Sequence, residues 1–189
     1  MKFFIYTSLL LLSLNLVSQN NCEFSTNVTD SIGTYKETKT YLVQERNFGG
    51  SSSYVFFSLV LANGVPSLHV QSIKKSNDFI KAHCLDKNSR LYFELENGKI
   101  VTLIHQDQEN CGTSVRDEKN RNNRLLTGNF LFLKGSISDL NSAPISMLRI
   151  KYATENVDYI FKKEILSEMD GQKYFPADYF LQFLKCVAN

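Results

Sequence analysis

Tryptophan is absent and histidine occurs only three times in a chain of 189 residues that carries fourteen phenylalanines and nine tyrosines. That aromatic content favours strands over helices. There is no His-Glu-x-x-His, no glycine-rich phosphate loop ending in lysine and no Gly-x-Ser-x-Gly elbow, so three common catalytic signatures are excluded. Cys-x-x-Cys is missing as well, and with it the usual redox-active dithiol. No charge of one sign dominates: the formal net charge of +2 falls to +1 once Lys2 is removed with the leader described next. A chain so near neutrality has no global field to steer it onto nucleic acid or an anionic membrane.

One long apolar run is present, at the N-terminus. Lys2 is followed by a stretch from Phe3 to Val17 rich in Leu, Ile and Phe, and Ser18 is a small residue suited to cleavage. Residues 1–18 read as a secretory signal peptide, with the mature chain starting at Gln19. Ser13 and Asn15 interrupt a run already short for a span of about 20 residues. Gln19, Asn20 and Asn21 stand where a lipid-anchored start at Cys22 would need small residues. The expectation is an exported chain with no membrane span after cleavage, destined for the periplasm, the cell surface or the medium. The remaining 171 residues (189 − 18) suit a single domain, 19–189, with a real core. A monomer is expected.

Cys22, Cys84, Cys111 and Cys186 are spaced too widely for a short zinc knuckle, and an oxidising compartment favours disulfides. Three pairings are possible. The expected one is Cys111–Cys186, tying a loop to the C-terminal helix, with Cys22–Cys84 pinning the mature N-terminus.

The clearest local signal is Arg90 to His105, RLYFELENGKIVTLIH, a hairpin about Asn97-Gly98. A two-residue turn there would pair Glu96 with Lys99, Leu95 with Ile100, Phe93 with Thr102 and Leu91 with Ile104. Leu91, Phe93, Leu95, Ile100, Thr102 and Ile104 would then share the buried face, leaving Glu94, Glu96, Lys99 and His105 on the other. A second hairpin joins Tyr54–Ala62 to Ser67–Ile73 through Asn63-Gly64, 34 residues earlier, without any repeat array following. Thr38 to Arg46 reads as a strand and Asn47 to Ser53 (NFGGSSS) as a flexible loop. Asp78 to His83 fits a strand or a helical turn. Residues 106–124 read as a long exposed loop, and Asn129 to Leu133 as a strand. Ser136 or Ser138 could cap one helical turn through Leu140. Met147–Tyr152 and Val157–Lys163 form a further antiparallel pair. A helix begins at Pro176, with Phe180, Phe183, Leu184 and Val187 on one stripe facing the sheet. The fold class is α+β, mainly β: antiparallel hairpins in one or two sheets, with a C-terminal helix packed on them.

Five segments together carry a resemblance. NCEFSTNVTDSIGTYKETKT after the leader, LYFELENGKIVTL, the Cys111 loop, the Ile145–Tyr152 strand and FLQFLKCV at the end resemble small exported proteins of Bacteroidetes-type bacteria. The resemblance implies a periplasmic or surface β-rich domain and carries over no catalytic residue. Cys84 departs from the pattern and puts the partner of Cys22 in question.

Chemistry is sparse. His69 and His105 sit at comparable places in the two hairpins, and a metal or hydrolytic site would need them to converge with Glu94. Glu94 and Glu96 share a strand face with Lys99, the arrangement of a solvated cross-strand ion pair. Ser51 to Ser53 lack a recognisable base. Arg116, Lys119, Arg121 and Arg124, with Asp117 and Glu118, form a loop of net +2 whose arginines could hold acidic glycans, lipid phosphates or a carboxylated partner bidentately. Nucleic acid is disfavoured by export and by the lack of aromatics among these basic residues.

The reading is an exported non-enzymatic interaction domain, with neither cofactor nor metal. It would bind a protein or surface polymer through sheet edges, the Asn47–Ser53 loop and Arg116, Lys119, Arg121 and Arg124. The alternatives are a periplasmic hydrolase built on Glu94 with His105 or His69, and a secreted protease inhibitor whose exposed loop is braced by Cys111.

Overall fold

The computed structural model describes residues 22–187; the leader and the start at Gln19 lie outside the described residues. Strands β1 (Phe24–Thr29) and β2 (Thr34–Thr38) form a first hairpin. Next come β3 (Tyr41–Phe48), β4 (Ser51–Ala62) and β5 (Val65–Ser76), then the hairpin of β6 (Arg90–Leu95) and β7 (Ile100–His105). After β8 (Thr113–Arg116) and β9 (Asn122–Phe132) stands a short helix α1 (Ser136–Leu140), followed by β10 (Ile145–Lys151) and β11 (Asn156–Ile160). A small pair, β12 (Ile165–Leu166) and β13 (Lys173–Tyr174), precedes the C-terminal helix α2 (Tyr179–Phe183), which is flanked by the 3-10 turns Pro176–Asp178 and Leu184–Cys186.

One antiparallel sheet dominates, in the order β1-β2-β4-β5-β9-β7-β6-β10-β11. β3 also pairs with β4, and β8 with β9, because those two strands are long enough to take different neighbours along their length. The β4–β5 ladder runs from Ser52↔Lys75 to Ala62↔Val65 and closes on Asn63 (φ 50°) and Gly64 (φ 80°). Both turn residues have positive φ, as a type I′ turn requires.

The same geometry corrects the reading of 47–53 as a flexible loop. Gly49 (φ 56°) and Gly50 (φ 78°) make a two-residue turn, and Asn47, Phe48 and Ser51 to Ser53 lie in the β3–β4 ladder. Residues 106–124 are likewise not all loop. Thr113 to Arg116 pair with Asn122 to Leu125, so an exposed hairpin replaces most of that excursion. Asp78 to His83 is neither strand nor helix, and α1 starts from Gly135 with no side-chain cap from Ser136 or Ser138.

The central hairpin has a register one residue away from the expected one. Leu91 pairs with Leu103, Phe93 with Val101 and Glu94 with Ile100. Of its turn residues only Gly98 has positive φ (80°), and the bonds Gly98 N–H to Leu95 O and Leu95 N–H to Lys99 O enclose a three-residue loop. Asn97 is held otherwise: its Oδ1 accepts from Lys99 N–H and its Nδ2 donates to Ser142 Oγ, while Glu96 N–H donates to Pro144 O. A one-residue slip inverts a strand. Val101, Leu103 and His105 therefore point inward and Ile100 outward, 68% exposed.

The sheet curls around the C-terminal segment. β3 and β10 lie far apart in the strand order, yet both contact the 176–178 turn. Inside the curl, Phe180 meets Phe57, Phe93 and Phe132, and Tyr179 meets Phe57 and Tyr41. Leu184 and Val187 of the expected stripe are buried with Phe180, and Phe183 packs beside them. A smaller cluster on the outer face, Leu42, Tyr54 and Ile165 with Tyr174, is covered by the β12–β13 pair.

All four cysteines are paired, as Cys22–Cys186 and Cys84–Cys111, which corrects both expected partners. Leu85 and Asn110 exchange two backbone hydrogen bonds, placing Cys84 and Cys111 directly opposite one another in the next antiparallel position. Cys186 then meets the beginning of β1. Two disulfides accord with an oxidising compartment, and among the described residues no helix is long and apolar enough to cross a membrane.

Candidate functional site

The tip of the β3–β4 hairpin, the end of β5 and the segment after it enclose a cleft of about 450 Å³. Arg46, Lys74, Lys75 and Lys81 line it, and no carboxylate does. Phe48 and Phe79 stand at its walls, 78% and 85% exposed, with Ser51 to Ser53 between them. Among the described residues neither Arg46 nor Lys75 takes part in an ion pair.

Lys74 and Lys81 also line a second, smaller recess, with His83, Arg124, Ser72 and Tyr152. Its chemistry follows from strand alternation. Leu68, Val70 and Ser72 occupy the inner face of β5, and Lys74 continues that series; Leu126 and Phe130 occupy the inner face of β9, and Arg124 continues that one. Lys74 and Arg124 are direct cross-strand partners, a like-charge juxtaposition that destabilises a sheet. Burial pushes the Lys74 ammonium below its ordinary value; burial, then the neighbouring Lys74 charge, does the same to His83. The local carboxylate is Glu155, 2.7 Å from Lys81 Nζ, and that contact lowers its own pKa. Arg124 donates through NH1 to Cys111 O, so the Cys84–Cys111 bridge also positions the guanidinium.

Two other concave surfaces contain ion pairs of their own. In the cleft of about 680 Å³ beside Tyr41 and Tyr179, Lys39 pairs with Glu23 at 2.8 Å, and Lys173 at its rim pairs with Glu164 at 3.0 Å. On the outer face near Glu94, Arg149 donates two hydrogen bonds to Asp158, both 2.7 Å.

The residues expected to act together are dispersed. Glu94 is exposed on the outer face of β6, whereas His105 is enclosed on the inner face of β7 with its side chain 0% exposed. The His105 Nδ1–H donates to Asp86 O, leaving Nε2 against Gly128, where an added Cβ would meet it at 3.1 Å. The same Cβ would meet Leu85 Cδ1 at 2.5 Å, so glycine at 128 makes room for Leu85 first and for this ring second. His69, on β5, bonds Asn129 Oδ1 at 2.7 Å, and β9 and β7 separate it from Glu94. These three cannot form one catalytic or metal site. Lys99 pairs with Asp139 rather than with Glu94 or Glu96. Among the described residues one group, Cys84, Glu109 and Cys111, has metal-ligand spacing, and its sulfurs are already joined.

The basic loop divides. Arg116 and Lys119 are exposed, and Arg121 is held by Asp117, which accepts from its Nε and backbone N–H and from Lys119 N–H. Arg124 alone reaches the recess. The Arg121 backbone N–H is the chief cause of an Asp117 carboxyl held at about 2. Its folded value is depressed, so its contribution is complete above the unfolded value and disappears as pH falls through about 2. Asp117→Asn is therefore expected to lower the melting temperature at neutral pH and much less at pH 2. Thermal melts across that range check this, and a gap as wide at pH 2 as at pH 7 would refute it.

Lys74, Lys81, His83 and Glu155 escaped sequence reasoning. Ending the strand at Ile73 hid Lys74, although the inward series Leu68, Val70, Ser72 would have carried it to the core face. Comparison with family models, with curated proteins and with solved structures found no match, so the site rests on its own geometry.

Proposed function

We propose that the chain is an exported, non-enzymatic interaction domain, acting in the periplasm or outside the cell, that binds an acidic surface polymer in the cleft between Phe48 and Phe79. The observation that carries this reading is the set Arg46, Lys74, Lys75 and Lys81 lining one cleft without a carboxylate among them. Exposed rings beside the cations supply stacking surface for sugar rings, and the serine hydroxyls supply hydrogen bonds. Phe48 is held in the β3–β4 ladder next to a two-residue turn, which limits the ordering cost of binding. Export is now the argument against nucleic acid, because aromatic and basic side chains do meet here.

Electrophoresis through gels containing polygalacturonate or dextran sulfate, with neutral dextran as control, tests the reading. Retention by an acidic polymer should fall as salt rises. It should also weaken roughly tenfold in Arg46→Ser/Lys75→Ser, for about 1.4 kcal/mol lost. Equal mobility in acidic and neutral gels would refute the proposal, and stronger retention by a single-stranded oligonucleotide would replace the ligand class.

A further inference from the structure

The recess behind the cleft offers hydrogen-bond donors with nothing to receive them. Lys74 Nζ lies 3.3 Å from His83 Nε2, and an ammonium can only donate, so the ring proton is on Nδ1. That Nδ1 is buried and has no partner. Arg124 Nε, also buried, has none either. Lys74 and Arg124 face one another across the β5–β9 ladder; Glu155, the local carboxylate, lies 2.7 Å from Lys81 Nζ and 3.7 Å from His83 Nε2, so it does not serve the His83 Nδ1 side of the ring.

A water molecule could accept one of these donors but would leave the half-buried Lys74 and Arg124 charges facing one another uncompensated, a juxtaposition that destabilises the ladder. An oxyanion answers both deficits. The recess itself is about 10 Å³, room for one oxygen atom, while the adjoining cleft has room for the rest of a ligand.

We propose that this recess is an oxyanion seat: one oxygen of a carboxylate or sulfate group on the ligand enters it and is held by Arg124, His83 and Lys74. The inference rests on the acidic-polymer reading above and states how that polymer is recognised, one charged group at a time. The Cys84–Cys111 bridge presets the seat by fixing Cys111 O, to which Arg124 is bound.

The test follows the Arg124 Nε–H and His83 ring resonances in the oxidised, isotopically labelled protein. Sodium acetate and sodium sulfate are titrated against sodium chloride at matched ionic strength. A saturable shift with an oxyanion and not with chloride is expected, and the anion that saturates at lower concentration identifies the group. Arg124→Gln should weaken that saturation at least tenfold, whereas Lys163→Gln, an exposed charge outside both the cleft and the recess, should leave it within twofold. Lys74→Met fills the same space without charge and guards against a misfolded Arg124 variant. It should abolish saturation while melting no lower than the parent, because it removes one of two facing like charges.

Shifts that grow linearly and equally in chloride would overturn the seat, as would saturation that survives both substitutions. Saturable anion binding in a protein that no acidic polymer retains would keep the seat and remove the cleft's proposed role. Retention of polymer without saturable anion binding would remove the seat alone.

Discussion

Phe180→Ala is expected to lower the free energy of unfolding by about 3–5 kcal/mol. Phe180 is 1% exposed, on α2 within the curl of the sheet. Its ring neighbours, Phe57 on β4, Phe93 on β6 and Phe132 on β9, belong to strands that are not adjacent in the sheet. Their closure around one side chain leaves no nearby group to fill the space it vacates, and poorly collapsing cavities give the upper part of that range. Urea titration followed by tyrosine fluorescence measures the effect: the midpoint should fall with the slope unchanged. A loss below about 1 kcal/mol would mean that the C-terminal segment is not an integral part of the core.

The second large effect is expected from Cys22→Ser/Cys186→Ser. The two cysteines lie 164 positions apart, and on the chain-entropy argument closing so long a loop contributes about 5 kcal/mol. The shorter Cys84–Cys111 loop, with a separation of 27, contributes roughly 3–4 kcal/mol on the same argument. Against a total stability of about 5–15 kcal/mol, loss of the long link would leave a marginal protein at 37 °C. Denaturant midpoints of the double-serine chain and of the parent in oxidising buffer provide the measurement. Both the bridge and Phe180 hold the same segment in place, so the combined loss should be smaller than the sum of the two. Equal stability with and without the Cys22–Cys186 bridge would show that the segment is held by packing alone.

Much of the architecture was legible because its turns are written in local chemistry. Asn63-Gly64 specified the β4–β5 hairpin, and the alternation of Leu148 and Ile150 with Arg149 and Lys151 specified β10. Asn97-Gly98 carries the same dipeptide and misled, because the Asn97 side chain is engaged by Lys99 N–H and Ser142, 45 residues on. A tertiary contact chose the turn. That choice moved His105 from the surface to the core and removed it from any site with Glu94. The cysteine pairing was illegible for a related reason: loop entropy does not say which backbones run side by side, and the Leu85–Asn110 bridge does. Of the proposed binding site, Ser51 to Ser53 and Arg124 could be named in advance. Their neighbours Lys74, Lys81 and His83 could not, since the recess exists only where β5 and β9 align and the 81–83 segment folds over them.

The link from Cys22 to Cys186 makes the described chain a covalent ring. Such a ring tolerates a proteolytic nick. A single cut at an exposed point within the ring, such as the tip holding Lys119 and Asn120, opens it without releasing either piece. The nicked molecule keeps β8 and β9 tethered through the rest of the sheet, and its two fragments part only after reduction or a second cut elsewhere.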